Sequence, residues 1–199
     1  MNAYHQLVSG ILIALAGLFT FVIYSSSFSF SSRRIARVGV MLSMALVAGL
    51  VESFIPSAFI PGIRLGLANV VILFALYVFG YGEAFIIALL KAILVAILRG
   101  SFFSMGGYMA LAGTMLSFLV MALLRLLLQK LSVIGVSIFG SLSHVFGQVF
   151  VAYIFVGPAI WGYLPWLLLF SFGSGILTGV LCFLLLKRRG LLAYLGKKK

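Results

Sequence analysis

The chain has 199 residues, 64% of them hydrophobic and only 8% charged, and its 14 Lys and Arg against two acidic residues give a formal net charge of +12. A water-soluble domain carries about 25% charged residues, so the surplus apolar surface must face lipid. At roughly 20 apolar residues per span the length leaves no room for a separate soluble catalytic domain. The single cysteine, Cys182, excludes a disulfide framework and a thiolate metal cluster.

Apolar runs divided by Gly, Pro, Ser and charged residues predict an all-α polytopic membrane protein with spans at 7–24, 35–54, 65–80, 83–98, 105–128, 133–156 and 164–186. The run at 7–24 lacks a basic start and exceeds the apolar stretch of a signal peptide, so it is expected as an extra, uncleaved N-terminal helix. Residues 1–32 are then an N-terminal transmembrane segment and linker, 33–189 a six-helix membrane domain, and 190–199 a basic cytoplasmic tail. Lys and Arg collect in cytoplasmic loops, so nucleic acid is not an expected partner. With Arg33, Arg34 and Arg37 in the cytoplasm, the 125–130 and 187–199 clusters also fall there, and the C-terminus is cytoplasmic. Arg64 and Arg99 fall on the other side and need a different explanation.

Ionisable groups within spans are costly and by default face a bundle interior or a cavity. Ser137, Ser141, His144 and Gln148 are spaced by four, three and four residues, which puts them on one inward face of a helix. Lys91 lies mid-span, where snorkelling is hardest. Glu83 is expected to favour its helix N-terminus, and Glu52 to neutralise Arg64 or touch a ligand. Arg64 and Asn69 bracket the outer start of the 65–80 segment, with Arg99 and Trp161 in the same outer half. Trp161 and Trp166 also fit an interfacial aromatic belt. The expected substrate-binding set is Glu52, Arg64, Asn69, Lys91, Arg99, His144, Gln148 and Trp161. Its excess of cationic groups suits a small anionic molecule. Small residues recur four apart at Ala45/Gly49, Ser143/Gly147 and Gly175/Gly179, which lets helices approach closely.

The run Val51-Glu52-Ser53 to Pro56, then Pro61-Gly62-Ile63-Arg64-Leu65-Gly66-Leu67-Ala68-Asn69, and later Gly135-Val136-Ser137 with His144 and Gly147-Gln148, resembles a bacterial membrane family. That family is labelled heptaprenyl diphosphate synthase component I, and also Gx transporter. In helix count it is similar to the substrate-binding S components of energy-coupling factor (ECF) transporters. The resemblance covers roughly Arg33 to Lys187 and implies an S-component-like bundle in the bacterial cytoplasmic membrane. It also implies a transmembrane coupling protein and two ATPase subunits as partners, with Ala45 and Gly49 at that interface and a substrate under the 53–63 loop. Chain elongation of prenyl diphosphates uses clustered aspartates to hold magnesium, and this sequence has no aspartate and no P-loop. The expectation is therefore a nonenzymatic S component, without cofactor, that takes up a small anionic micronutrient or precursor among membrane lipids. The alternative is a noncatalytic membrane subunit that assists polyprenyl (heptaprenyl) diphosphate synthesis. A purely structural scaffold would leave Lys91 and the 137–148 stripe costly without function.

Overall fold

The computed structural model describes residues 31–54, 66–128 and 130–196. The expected 7–24 span, most of the 53–63 loop and Arg64 lie outside these residues. Six α-helices follow in order: α1 (Ser32–Phe54), α2 (Leu67–Val78), α3 (Tyr81–Leu98), α4 (Met105–Leu127), α5 (Val133–Val156) and α6 (Leu164–Gly196), with a 3-10 turn (Pro158–Gly162) before α6. The described residues contain no β-strand. All helices but α2 are long and apolar enough to cross a membrane, which makes the chain a multi-pass membrane protein.

α2 departs from the expected 65–80 span. Its 12 residues reach about 18 Å, against a hydrocarbon layer of about 30 Å. It is enclosed by α1, α3, α4 and α6, and Ile72, Leu73, Ala75 and Leu76 are essentially inaccessible. A helix end shielded from lipid can stop inside the membrane when protein groups satisfy its backbone.

The turns follow from local chemistry. Phe79 and Gly80 both donate their N–H to the Ala75 carbonyl, at 2.8 and 3.2 Å, before α3 begins. α3 ends with Gly100 at φ 62, a left-handed residue that only glycine adopts freely. There Gly100 N–H meets Ile97 O and Ser101 N–H meets Ala96 O, both at 2.9 Å, a Schellman closure. Ser132 opens α5 by accepting the Gly135 N–H at 3.1 Å.

Small residues set the helix contacts. α4 with α5 is the most extensive pair, followed by α5 with α6. A Cβ on Gly147 would lie 2.8 Å from the Ala112 carbonyl, and one on Gly179 2.7 Å from Ile134 Cα. Backbones this close give the van der Waals contact that holds helices together in lipid. Ser141 Oγ adds a 2.9 Å hydrogen bond to the Ser171 carbonyl on α6. Ala45 and Gly49 correct an expectation, because both are buried within the bundle rather than free for a partner. A Cβ on Gly49 would meet Val95 at 3.1 Å and Lys91 Cε at 3.6 Å. The face α1 leaves uncovered is formed by Val40, Met44, Val47 and Val51.

At one end of the bundle, Arg34 Nε lies 2.8 Å from Glu83 Oε1 and Arg37 3.7 Å from the same oxygen. Arg37 also covers the Phe79 ring at 5.3 Å. Arg125 donates to the Leu76 carbonyl and sits over Tyr77 at 4.7 Å and Tyr81 at 5.4 Å. Glu83 therefore does more than favour the α3 N-terminus: it ties that terminus to the basic start of α1. These contacts bring the Arg34/Arg37 cluster, the α2–α3 turn and Arg125 to one basic end, as the alternating path of the chain requires.

Candidate functional site

Away from the basic end, five helices converge on a small polar cavity. Glu52 enters from the end of α1, Gly66 and Asn69 from the start of α2, and Lys91 from the middle of α3. α5 contributes Ser141, His144, Val145 and Gln148, and α6 contributes Leu167, Phe170, Ser171 and Ser174. The cavity volume is about 30 Å3, room for about two ordered waters.

Lys91, His144 and Gln148 are each accommodated by a glycine on a neighbouring helix. Lys91 is only 6% exposed, and its stem passes the face of α1 where Gly49 has no side chain. Gly113 on α4 makes the corresponding space for α5. A Cβ there would lie 2.9 Å from Gln148 Cγ and 3.0 Å from His144 Nε2. His144 and Gln148, at 8% and 3% exposure, thus sit inside the α4–α5 seam and still reach the cavity. Gly66 combines φ 78 with close approach, since a Cβ would meet Ser174 Oγ at 2.9 Å and Thr178 Oγ1 at 3.0 Å. Its carbonyl also accepts the Thr178 hydroxyl at 3.5 Å. The start of α2 is therefore fixed against α6.

Glu52 Oε1 accepts the backbone N–H of Leu67. A carboxylate at a helix N-terminus satisfies an orphan donor and complements the dipole. Glu52 thus caps α2, a role the sequence reading did not foresee. Of the expected binding residues, Glu52, Asn69, Lys91, His144 and Gln148 line one cavity. Arg99 does not: it is the exposed C-cap of α3. Trp161 is 53% exposed in the 3-10 turn and packs on Tyr153 with ring centres 6.0 Å apart, as an aromatic-belt residue would. Arg64 lies outside the described residues. Ser171 and Ser174 were missed, although with Thr178 their spacing of three and four marks an inward polar stripe on α6. Among the described residues no three His, Cys, Asp or Glu side chains gather as metal ligands would.

A family model described as heptaprenyl diphosphate synthase component I matches residues 41–185, most of the chain and all of the cavity lining. The chain belongs to the heptaprenyl diphosphate synthase component I family. Comparison with curated proteins and with solved structures gave no match. For this member of the component I family, the matched region runs from α1 into α6 and includes both the cavity and the Arg34-facing carboxylate Glu83.

Proposed function

We propose that this chain is a noncatalytic membrane subunit that binds the anionic head of a small molecule and assists polyprenyl (heptaprenyl) diphosphate synthesis. The observation that carries the reading is the convergence of Asn69, Lys91, His144 and Gln148, from three helices, on one buried cavity beside Glu52. Cationic and amide side chains gathered on one buried cavity suit an anionic head group, and a diphosphate offers both charge and acceptor oxygens. The family description supports a polyprenyl ligand. The noncatalytic part rests on the sequence: there is no aspartate, and its two glutamates are engaged apart, Glu52 at the α2 N-terminus and Glu83 with Arg34. Neither forms the carboxylate cluster that would hold magnesium on a diphosphate. A soluble synthase partner would supply that chemistry.

A second reading, an ECF-type S component for uptake of a small anionic micronutrient or precursor, is favoured by the position and lining of the cavity. It lies away from the basic end, and its lining is polar on several sides instead of forming an apolar channel. On this reading the coupling protein and two ATPases are the partners. Because Ala45 and Gly49 are buried, that protein would meet the exposed α1 face around Val40, Met44 and Val47.

Purification of the tagged protein from its native membrane in mild detergent, with mass spectrometry of accompanying proteins and small molecules, separates the readings. A prenyl synthase with isoprenoid diphosphate supports the first. Coupling protein, ATPases and a polar metabolite support the second, and recovery of only bulk lipid rejects both. His144→Ala should weaken binding of the recovered ligand while the protein stays monodisperse in detergent.

A further inference from the structure

We propose that the amino end of α2 is an oxyanion seat, that Glu52 occupies it, and that a ligand's head group enters by displacing this carboxylate. The inference rests on the anion-binding reading above and deepens it.

The seat is deep. The carboxyl end of α2 lies at the basic end, where Phe79 is covered by Arg37. At 1.5 Å per residue the helix reaches only about 18 Å back across a layer of about 30 Å. Its first turn therefore opens inside the hydrocarbon region, where the positive end of the helix dipole is poorly screened. Membrane transporters use such interrupted helices to face anionic groups. Gly66 holds the turn rigid against Ser174 and Thr178.

A second observation points to a ligand. The Gln148 side chain lines the same cavity, is 3% exposed, and has no hydrogen-bond partner in the structure among the described residues. A buried amide left unmet is costly, and its N–H groups are suited to an oxyanion. Lys91 and His144 line the cavity as well.

Glu52 is already an oxyanion on this turn, through Leu67 N–H. A second anion could not join it without like-charge repulsion in a low-dielectric site. Exchange keeps the charge of the seat constant: one set of oxygens leaves as another arrives, and no bond to carbon is made or broken. Because Glu52 belongs to α1 and Leu67 to α2, exchange also releases the contact between those two helix ends. Ligand arrival is thereby coupled to separation of α1 from α2 at the cavity.

The test uses the full-length protein in lipid nanodiscs, with inorganic pyrophosphate and farnesyl diphosphate as probes in titration calorimetry. Glu52→Gln keeps an oxygen that can accept the Leu67 N–H but removes the competing charge. It should bind pyrophosphate about tenfold more tightly than the wild type, the equivalent of an anion's attraction to a helix N-terminus. Gln148→Leu should bind it about tenfold more weakly, the loss of one charge-assisted hydrogen bond. Tighter binding of farnesyl diphosphate than pyrophosphate would support a lipid-borne head, and equal binding a soluble one; either pattern upholds the seat if both variants respond as stated. Equal or weaker binding by Glu52→Gln, or unchanged binding by Gln148→Leu, overturns the exchange. If a synthase and isoprenoid diphosphate nevertheless accompany the native protein, the functional reading survives that result. If no variant binds either probe and the native ligand is uncharged, both fall.

Discussion

Replacing Gly147 by alanine adds one methyl group where α4 and α5 leave no space. The new Cβ would lie 2.8 Å from Ala112 O and 2.9 Å from Gly113 Cα. Both are backbone atoms, so no side chain can rotate away. The helices must part by about half an ångström, and a gap of that size forfeits about a quarter of each dispersion contact along the seam. Overpacking of this kind costs about 1–3 kcal/mol, partly offset by the gain of about 0.5–1 kcal/mol when alanine replaces glycine within a helix. Gly39→Ala is the control, because that position on exposed α1 has nothing within 4 Å of a new Cβ. It receives only the favourable contribution. In detergent, a thermal melt followed by tryptophan fluorescence should place Gly147→Ala several degrees below Gly39→Ala, at about 2–4 °C per kcal/mol for a chain of this length. Since Gly147 lies between His144 and Gln148, the same variant should bind pyrophosphate more weakly. Coincident melting curves for the two variants would refute the claim that backbone contact between α4 and α5 sets this seam.

Arg34→Ala leaves Arg37 3.7 Å from the Glu83 carboxylate, so it should cost less than the double variant Arg34→Ala/Arg37→Ala. The double variant strands a buried charge at a cost of about 3 kcal/mol, and adding Glu83→Gln should recover most of that loss in the same melting assay. Gly49→Val should push Val95 and the Lys91 stem aside and weaken pyrophosphate binding, with a smaller effect for Gly49→Ala. Arg99→Ala and Trp161→Ala should leave pyrophosphate affinity unchanged, because neither residue lines the cavity; a clear loss in calorimetry with either would mean that the ligand extends to the outer surface.

Much of this molecule was legible from residue order. The apolar runs located α1 and α3 to α5 closely, and the start of α6, because a helix in lipid must present a long uncharged stretch; α6 itself runs on past the apolar run to Gly196. The spacing of Ser137, Ser141, His144 and Gln148 identified an inward face, and the cost of Lys91 in mid-span marked a protected site. The Ser143/Gly147 and Gly175/Gly179 pairs marked surfaces of close approach, which proved to be the α4–α5 and α5–α6 seams.

Periodicity, however, says which residues share a face and not what that face meets. The spacing of Ala45 and Gly49 fits an external partner as well as it fits α3, and only packing against Val95 and Lys91 decided between them. The apolar run at 65–80 likewise fits a full span. α2 is short because Gly66 turns the chain against Ser174 and Thr178, more than a hundred residues away in sequence. Glu52 on the Leu67 N–H, and Glu83 beside Arg34, are choices of partner made by long-range geometry. Sequence therefore determined the membrane-spanning character and the inward polar faces, through local hydropathy and helical period. Tertiary structure decided which polar groups meet, because that depends on how helices distant in the chain pack together.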